Sequence, residues 1–327
     1  MSDAILKVEE LKVYFPIPSN KHLFDFGHDM LKAVDGVSFE LHQGRTLGIV
    51  GESGCGKSTL ARAIIDLVPV TDGKIYFDGA EITSMSKSER WELKKDIQMI
   101  FQDPLASLDP RMTIGDIIAE PLLSFFPELT KAERKERVRE IMERVGLLPN
   151  VINRYPHEFS GGQAQRIGIA RALITEPKLI VCDEPVSALD VSIQAQVINL
   201  LMELQREMNL TLIFISHDLS VVKHISHDIL VIYLGNTVEL STKEELFDNP
   251  LHPYNKALIS AVPIADPKRE RAKEVQFLDG DLPSPIHPPS GCVFRTRCPR
   301  VIDRCAEEKP ISEFVSETHM LKCFNYE

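Results

Sequence analysis

The chain of 327 residues has no apolar run near the roughly 20 residues needed to span a bilayer, so no membrane-crossing helix is expected. Its first residues include Asp3, Glu9 and Glu10 instead of a basic start, an apolar segment and a cleavage region. No secretory leader is expected, and the chain is predicted to stay in the cytosol. A dense Lys/Arg block is missing too. Net charge is −11, and the cations between Lys131 and Arg144 are interrupted by Glu133, Glu136, Glu140 and Glu143. Val138, Ile141, Met142 and Val145 return there at helical spacing, which predicts a solvated amphipathic helix and no nucleic-acid surface. Cysteine is sparse until the end. Cys55 lies in a glycine loop and Cys182 in an apolar run, whereas Cys292, Cys298, Cys305 and Cys323 share the final 36 residues. In a reducing compartment, four clustered thiols favour a metal or cluster site over disulfides.

What the chain does have is Gly51-Glu-Ser-Gly-Cys-Gly-Lys57-Ser58, which fits the pattern G-x-x-x-x-G-K-[ST]. The stretch Thr46 to Val50 reads as a strand before it, and Ser58 to Leu67 as a helix after it. Glycines let the backbone turn tightly around oxyanions, and the new helix adds the positive end of its dipole. Gly51, Glu52, Ser53, Gly54, Cys55, Gly56, Lys57, Ser58 and the adjoining Thr59 are the expected phosphate contacts. Lys57 is placed to meet the β- and γ-phosphates, and the Ser58 hydroxyl to ligate Mg²⁺. A nucleoside triphosphatase is the starting point.

Leu179-Ile-Val-Cys-Asp183-Glu184 sets two carboxylates after a wholly apolar strand, where parallel sheets open their ligand crevice. Asp183 suits Mg²⁺, and Glu184 suits the water that attacks a γ-phosphate. Gln102 and His217 each follow another strand. The first can reach the metal or the water, and the second can donate to a γ-phosphate oxygen. Phe159-Ser160-Gly161-Gly162-Gln163 starts a helix with a capping serine and two glycines, a second anion-binding surface. One molecule needs only one such surface. Ser160, Gly161, Gly162 and Gln163, with Asp190 at the next helix start, are therefore expected to complete the site of a second, facing copy or relative. Tyr14 is the expected adenine-stacking ring.

Uniformly apolar strands alternating with helices predict an α/β fold with a mostly parallel sheet. Ile5 to Phe15 reads as an edge strand, Pro16 to Leu31 as a surface hairpin insertion without assigned chemistry, and residues 103–175 as an inserted helical subdomain. The core ends near Leu240. Residues 241–327 form an extension with little regular core, which needs a staple.

Together these motifs resemble the ATP-binding cassette family over roughly residues 5–240, with Phe159 where that family commonly has Leu. The fold implied is a RecA-like P-loop core with an antiparallel β subdomain, an inserted helical subdomain and a small cysteine-containing carboxy-terminal extension. Tyr155-Pro-His-Glu-Phe-Ser160-Gly-Gly-Gln163 and Cys182 to Gln196 look like the ATPase subunits of bacterial oligopeptide/dipeptide importers, the second especially like the F-type. Ala164 stands where those relatives usually carry Arg, which predicts a missing interfacial or solvent contact. The resemblance implies ATP hydrolysis coupled to peptide import at the cytoplasmic face of the membrane. It also implies a homologous D-type ATPase partner, two membrane permease subunits, with a permease's coupling helix received around residues 103–150, and an external substrate-binding protein. A nickel or sugar transporter ATPase, or a soluble cassette in repair or translation, shares the same catalytic motifs. The tail resembles that subfamily through Asn249 to Tyr254 and Gly291-Cys-Val-Phe-Arg-Thr-Arg-Cys298-Pro. Its four cysteines can hold a [4Fe–4S] cluster or close a zinc site, or stay reduced and ligand-free. No C-x2-C pair supports the zinc reading, and the resemblance favours the cluster.

Overall fold

A computed structural model describes residues 4–18, 28–263 and 266–326. Residues 19–27 of the expected hairpin insertion lie outside the described residues. The chain divides into two compact units.

The first unit holds Leu41–Thr46 and Ser84–Ser216. It contains α2 (Lys87–Leu93), β6 (Ile97–Ile100), α3 (Ile114–Phe125), α4 (Lys131–Arg144), α5 (Gly161–Leu173), β7 (Leu179–Asp183), α6 (Val191–Met208) and β8 (Thr211–Ile215). Strands β6, β7 and β8 pair in parallel, with Ile100 beside Cys182 and Asp183 beside Ile215. Every residue of β7 and β8 is buried, as strands covered on both faces require. Helix α4 begins and ends where the sequence pattern put it. Thr130 caps it in a reciprocal box with Glu133, and Val138, Ile141 and Met142 supply the buried face.

The second unit holds Ala4–Glu40, Leu47–Thr83 and His217–Glu327. Its first part contains β1 (Ala4–Pro18), β2 (His28–His42), β3 (Thr46–Val50), α1 (Lys57–Ile64), β4 (Asp72–Phe77) and β5 (Ala80–Glu81). Its second part contains α7 (Leu219–Ile225), β9 (Asp228–Tyr233), β10 (Asn236–Thr242), α8 (Lys243–Asp248), α9 (Pro253–Ser260), α10 (Pro267–Ala272), α11 (Arg304–Glu307), β11 (Glu313–Phe314) and β12 (Met320–Leu321).

One sheet of this unit runs β2-β1-β4-β5. Strand β1, expected at an edge, is therefore interior. Its other partner β4 pairs with it from 60 to 71 residues along the chain, Leu6 with Phe77 and Val8 with Ile75, and local alternation carries no information about such a distant strand. In the other sheet β3 pairs in parallel with β9, and β10 runs antiparallel to β9. The carboxy-terminal strand β12 adds to the free side of β10, with Met320 beside Leu240. The tail is thus tied in by a ladder as well as by side chains.

Candidate functional site

In the second unit the phosphate-loop sequence forms the turn that its glycines require. Gly56, at φ 104°, brings its Cα so close to the Ala33 carbonyl that an added Cβ would sit 2.0 Å from the oxygen. Gly54 faces open space, with nothing within 4 Å of an added Cβ, so the loop keeps a concave side. Lys57, at the first turn of α1, is 5% exposed. Its Nζ donates to the carbonyls of Gly51 at 2.7 Å and Glu52 at 2.9 Å, and lies 3.8 Å from the buried Cys55 Sγ. A buried ammonium held only by loop dipoles in these bonds, beside an open glycine face, fits an anionic phosphate chain.

Two residues outside the motif hold this loop. The Tyr254 hydroxyl accepts the Glu52 N–H at 2.8 Å, and Arg297 Nη1 donates to both Glu52 carboxylate oxygens at 3.0 and 2.8 Å. Burial opposes the charge of Arg297, but its hydrogen bonds to Glu52 and Tyr233 outweigh that and raise the guanidinium above its ordinary range. Sequence reasoning missed both residues. Their only signal was that each belongs to a tail segment already singled out by resemblance.

Tyr14 is half-buried. Its hydroxyl donates to Asp35, whose other oxygen takes Lys309 Nζ at 2.9 Å, and Lys32 Nζ stands 5.8 Å from the Tyr14 ring centroid. Burial pushes Asp35 up, but the bonds from Tyr14 and Lys309 prevail and hold it below the usual carboxylate range. The phenol is therefore anchored at its tip, which leaves the ring as the part that can meet a ligand. His217 belongs to the second unit and stands two residues after β8.

In the first unit the parallel register of β6 and β7 ends both strands at one level, and the residues beyond them meet. Gln102 Nε2 donates to Glu184 Oε2 at 2.9 Å. Glu184 has left-handed backbone geometry (φ 48°), and its N–H is tied to the Ile215 carbonyl at 3.0 Å. Such a conformation costs about 1–3 kcal/mol in a residue with a side chain, and it recurs at functional sites. Asp183, the last residue of β7, is 3% exposed. A buried carboxylate at a strand end, beside a glutamate oriented by an amide, is a donor set suited to a hard divalent cation such as Mg²⁺.

Ser160 caps α5, and its side chain and N–H are joined to Gln163 in a capping box. The two glycines after it have a packing reason as well. An added Cβ at Gly161 would meet Leu189 at 3.3 Å, and one at Gly162 would meet Ile193 Cγ2 at 2.5 Å. This places the helix start against the Ser187–Asp190 loop and the first turn of α6. Asp190 at that turn is exposed, and Val191 beside it is 82% exposed. Ala164 is fully buried in α5. A small residue suits that position.

The four carboxy-terminal cysteines require a correction. Among the described residues, no group of three or more His, Cys, Asp or Glu side chains is disposed to hold a metal ion. The expected [4Fe–4S] cluster at Cys292, Cys298, Cys305 and Cys323, and its zinc alternative, are thereby overturned. All four are free thiols. Burial, with a smaller push from neighbouring cysteines, raises Cys292 to about 11, and Cys298 and Cys323 are raised as well. The neutral thiol is favoured over the thiolate that a metal needs. The staple is packing instead. Phe294 is buried edge-on against Tyr233 at 5.1 Å and beside Tyr254 at 5.5 Å. Glu239, at 0% exposure, accepts from Leu251 N, His252 N, Asn255 Nδ2 and His319 Nε2 at 2.8–3.0 Å.

Comparison with known proteins agrees with this architecture. A family model for ABC transporters matches residues 34–187, and one for the carboxy-terminal region of oligopeptide/dipeptide transporters matches residues 238–305. The chain is 63% identical over 319 residues to the oligopeptide transport ATP-binding protein OppF of Salmonella typhimurium, covering 98% of this chain and 95% of that one. The chain belongs to the ABC-transporter ATPases of the oligopeptide/dipeptide class. This cassette is also 54% identical over 325 residues to the oligopeptide transport ATP-binding protein AppF of Bacillus subtilis, covering 99% and 98% of the two chains. Its fold, a RecA-like P-loop core with a β subdomain and inserted helices, matches the cassette MJ0796. That protein was solved as a dimer in a post-hydrolysis state with ADP and Pi (TM-score 0.64, 27% identity, 73% of this chain and 98% of that chain). Among the described residues, no helix of the cassette is long and apolar enough to cross a membrane.

Proposed function

We propose that this cassette is the F-type ATPase subunit of an oligopeptide or dipeptide importer, converting ATP and water to ADP and phosphate. The hydrogen bond from Gln102 to Glu184 at the ends of two parallel strands carries the reading. It orients a carboxylate whose position suits it to accept a proton from an attacking water. Gly51 to Thr59 cradle the phosphates, with the Lys57 ammonium neutralising the β and γ groups. Ser58, Asp183 and Gln102 are, by resemblance, the residues that would hold Mg²⁺, which would supply charge neutralisation at the phosphoryl oxygens. His217 donates to a γ-phosphate oxygen, and Tyr14 supports the adenine.

The exposed start of α6 at Asp190 and Val191 and the capped start of α5 form the surface toward a homologous D-type ATPase. Ser160, Gly161, Gly162, Gln163 and Asp190 there complete the nucleotide site of that partner. The dimeric form of the MJ0796 cassette supports this arrangement. The transporter has two permease subunits, and a permease docks on residues 103–150, where Leu105 and Leu123 are exposed, so that the cassette is peripheral to the membrane. A substrate-binding protein acts through the assembled transporter. Residues 1–240 are the catalytic cassette and residues 241–327 its extension. The match over residues 238–305 favours peptides over nickel or sugar as cargo.

Glu184→Gln tests the reading. It keeps the Gln102 contact, removes the base, and should retain ATP while losing turnover. Wild-type turnover in that variant would remove Glu184 from the chemistry.

A further inference from the structure

We infer that the carboxy-terminal region is a positioning device for the phosphate loop, acting through Tyr254 and Arg297 on Glu52. The inference rests on the ATPase reading and deepens it. The Gly51 carbonyl and the Glu52 N–H belong to one planar peptide group. Its N–H is held by the Tyr254 hydroxyl at 2.8 Å, and its carbonyl accepts from Lys57 Nζ at 2.7 Å. Turning that plane to lose the first bond also moves the second. Tyr254 thus fixes where the ammonium that meets the phosphates can rest. Tyr254 is itself immobilised, fully buried with its ring 4.9 Å from Tyr233.

Arg297 answers a different problem. The G-x-x-x-x-G-K pattern leaves the second position open, so phosphate chemistry does not ask for an acid there. A carboxylate in a loop that receives a polyanion repels it unless neutralised. Arg297 meets both Glu52 oxygens, and its side chain is only 9% exposed, where solvent screens the pair weakly. The tail therefore sets both the loop's shape and its charge, and ATP affinity depends on residues some 200 and 245 positions away from the motif.

The test is equilibrium binding of a fluorescent ATP analogue to the full-length chain, followed by hydrolysis rates across ATP concentrations in that chain assembled with its partner ATPase. Arg297→Gln should weaken ATP by about tenfold in Kd and KM, with kcat within about twofold, as expected for an unneutralised charge beside the phosphates. Adding Glu52→Gln to that variant should restore most of the affinity, because the charge needing neutralisation is gone. A merely structural role for Arg297 would lower the melting temperature without this split and without this rescue. Should Arg297→Gln fail to fold, Tyr254→Phe keeps the ring and removes only the acceptor, and about threefold weaker ATP is expected. ATP affinity within the error of wild type in Tyr254→Phe, or in a folded Arg297→Gln, would overturn the inference, as would a double variant no better than the single one. A wild-type chain that binds no ATP would instead sink the ATPase reading itself.

Discussion

Two buried or half-buried glutamates of this molecule differ in how their oxygens are occupied. Glu239 lies at 0% exposure and has both oxygens filled, each accepting two hydrogen bonds. Glu184 is only partly buried, sits on strained left-handed backbone, and is oriented by a neutral amide. A saturated carboxylate has no lone pair left for a water and serves as a knot. One that is aimed but reachable can take a proton. The surroundings, and not the residue type, separate the two roles.

The contrast predicts different failures. Glu184→Gln should cut phosphate release by ~10²–10⁴-fold while ATP binding and melting temperature stay near wild type. Steady-state phosphate release beside equilibrium nucleotide binding will show whether the two separate. Glu239→Leu should do the reverse, costing about 3–5 kcal/mol of unfolding free energy because four buried donors lose their acceptor. Urea titration reads that cost, and a loss below about 1 kcal/mol would mean that the knot is not what holds the tail.

A third, smaller effect depends on pH. Burial lowers His252, which packs beside Glu239 and accepts the Tyr254 N–H at Nδ1, to about 4. The unfolded chain takes up this proton near pH 6.5, whereas the folded chain refuses it until about pH 4. Stability from this group is therefore complete above 6.5 and lost as pH falls from 6.5 to 4, on the order of 3 kcal/mol in all. Urea titrations at several pH values across that window should slope accordingly, and His252→Asn should flatten them.

The smallest effect belongs to the α5 start. Gly162→Ala places a methyl 2.5 Å from Ile193 Cγ2, a side-chain atom that can shift, so about 1 kcal/mol is expected. Pairing it with Ile193→Ala should recover the loss if packing, and not anion binding alone, requires that glycine.

Legibility in the sequence followed distance along the chain. Helix α4 was read with its boundaries because caps and apolar spacing are local signals. The phosphate loop and the Asp183–Glu184 strand end were read because turn geometry and strand polarity are written within ten residues. Strand β1 was misread as an edge because β4 pairs with it from far along the chain. The cysteines were misread because spacing along the chain cannot say whether the folded tail presents its thiols to a metal.

From the amino-acid order alone it follows that this chain carries a phosphate-binding loop, a carboxylate pair after a buried strand and a capped glycine helix start. Each of these is encoded by neighbours whose backbone preferences act within one or two turns. Tertiary structure alone decided that Gln102 meets Glu184, that Tyr254 and Arg297 hold Glu52, and that Glu239 gathers four donors from the tail. Those contacts join residues between 12 and 245 positions apart. Their existence depends on strand order and packing, which no local preference specifies.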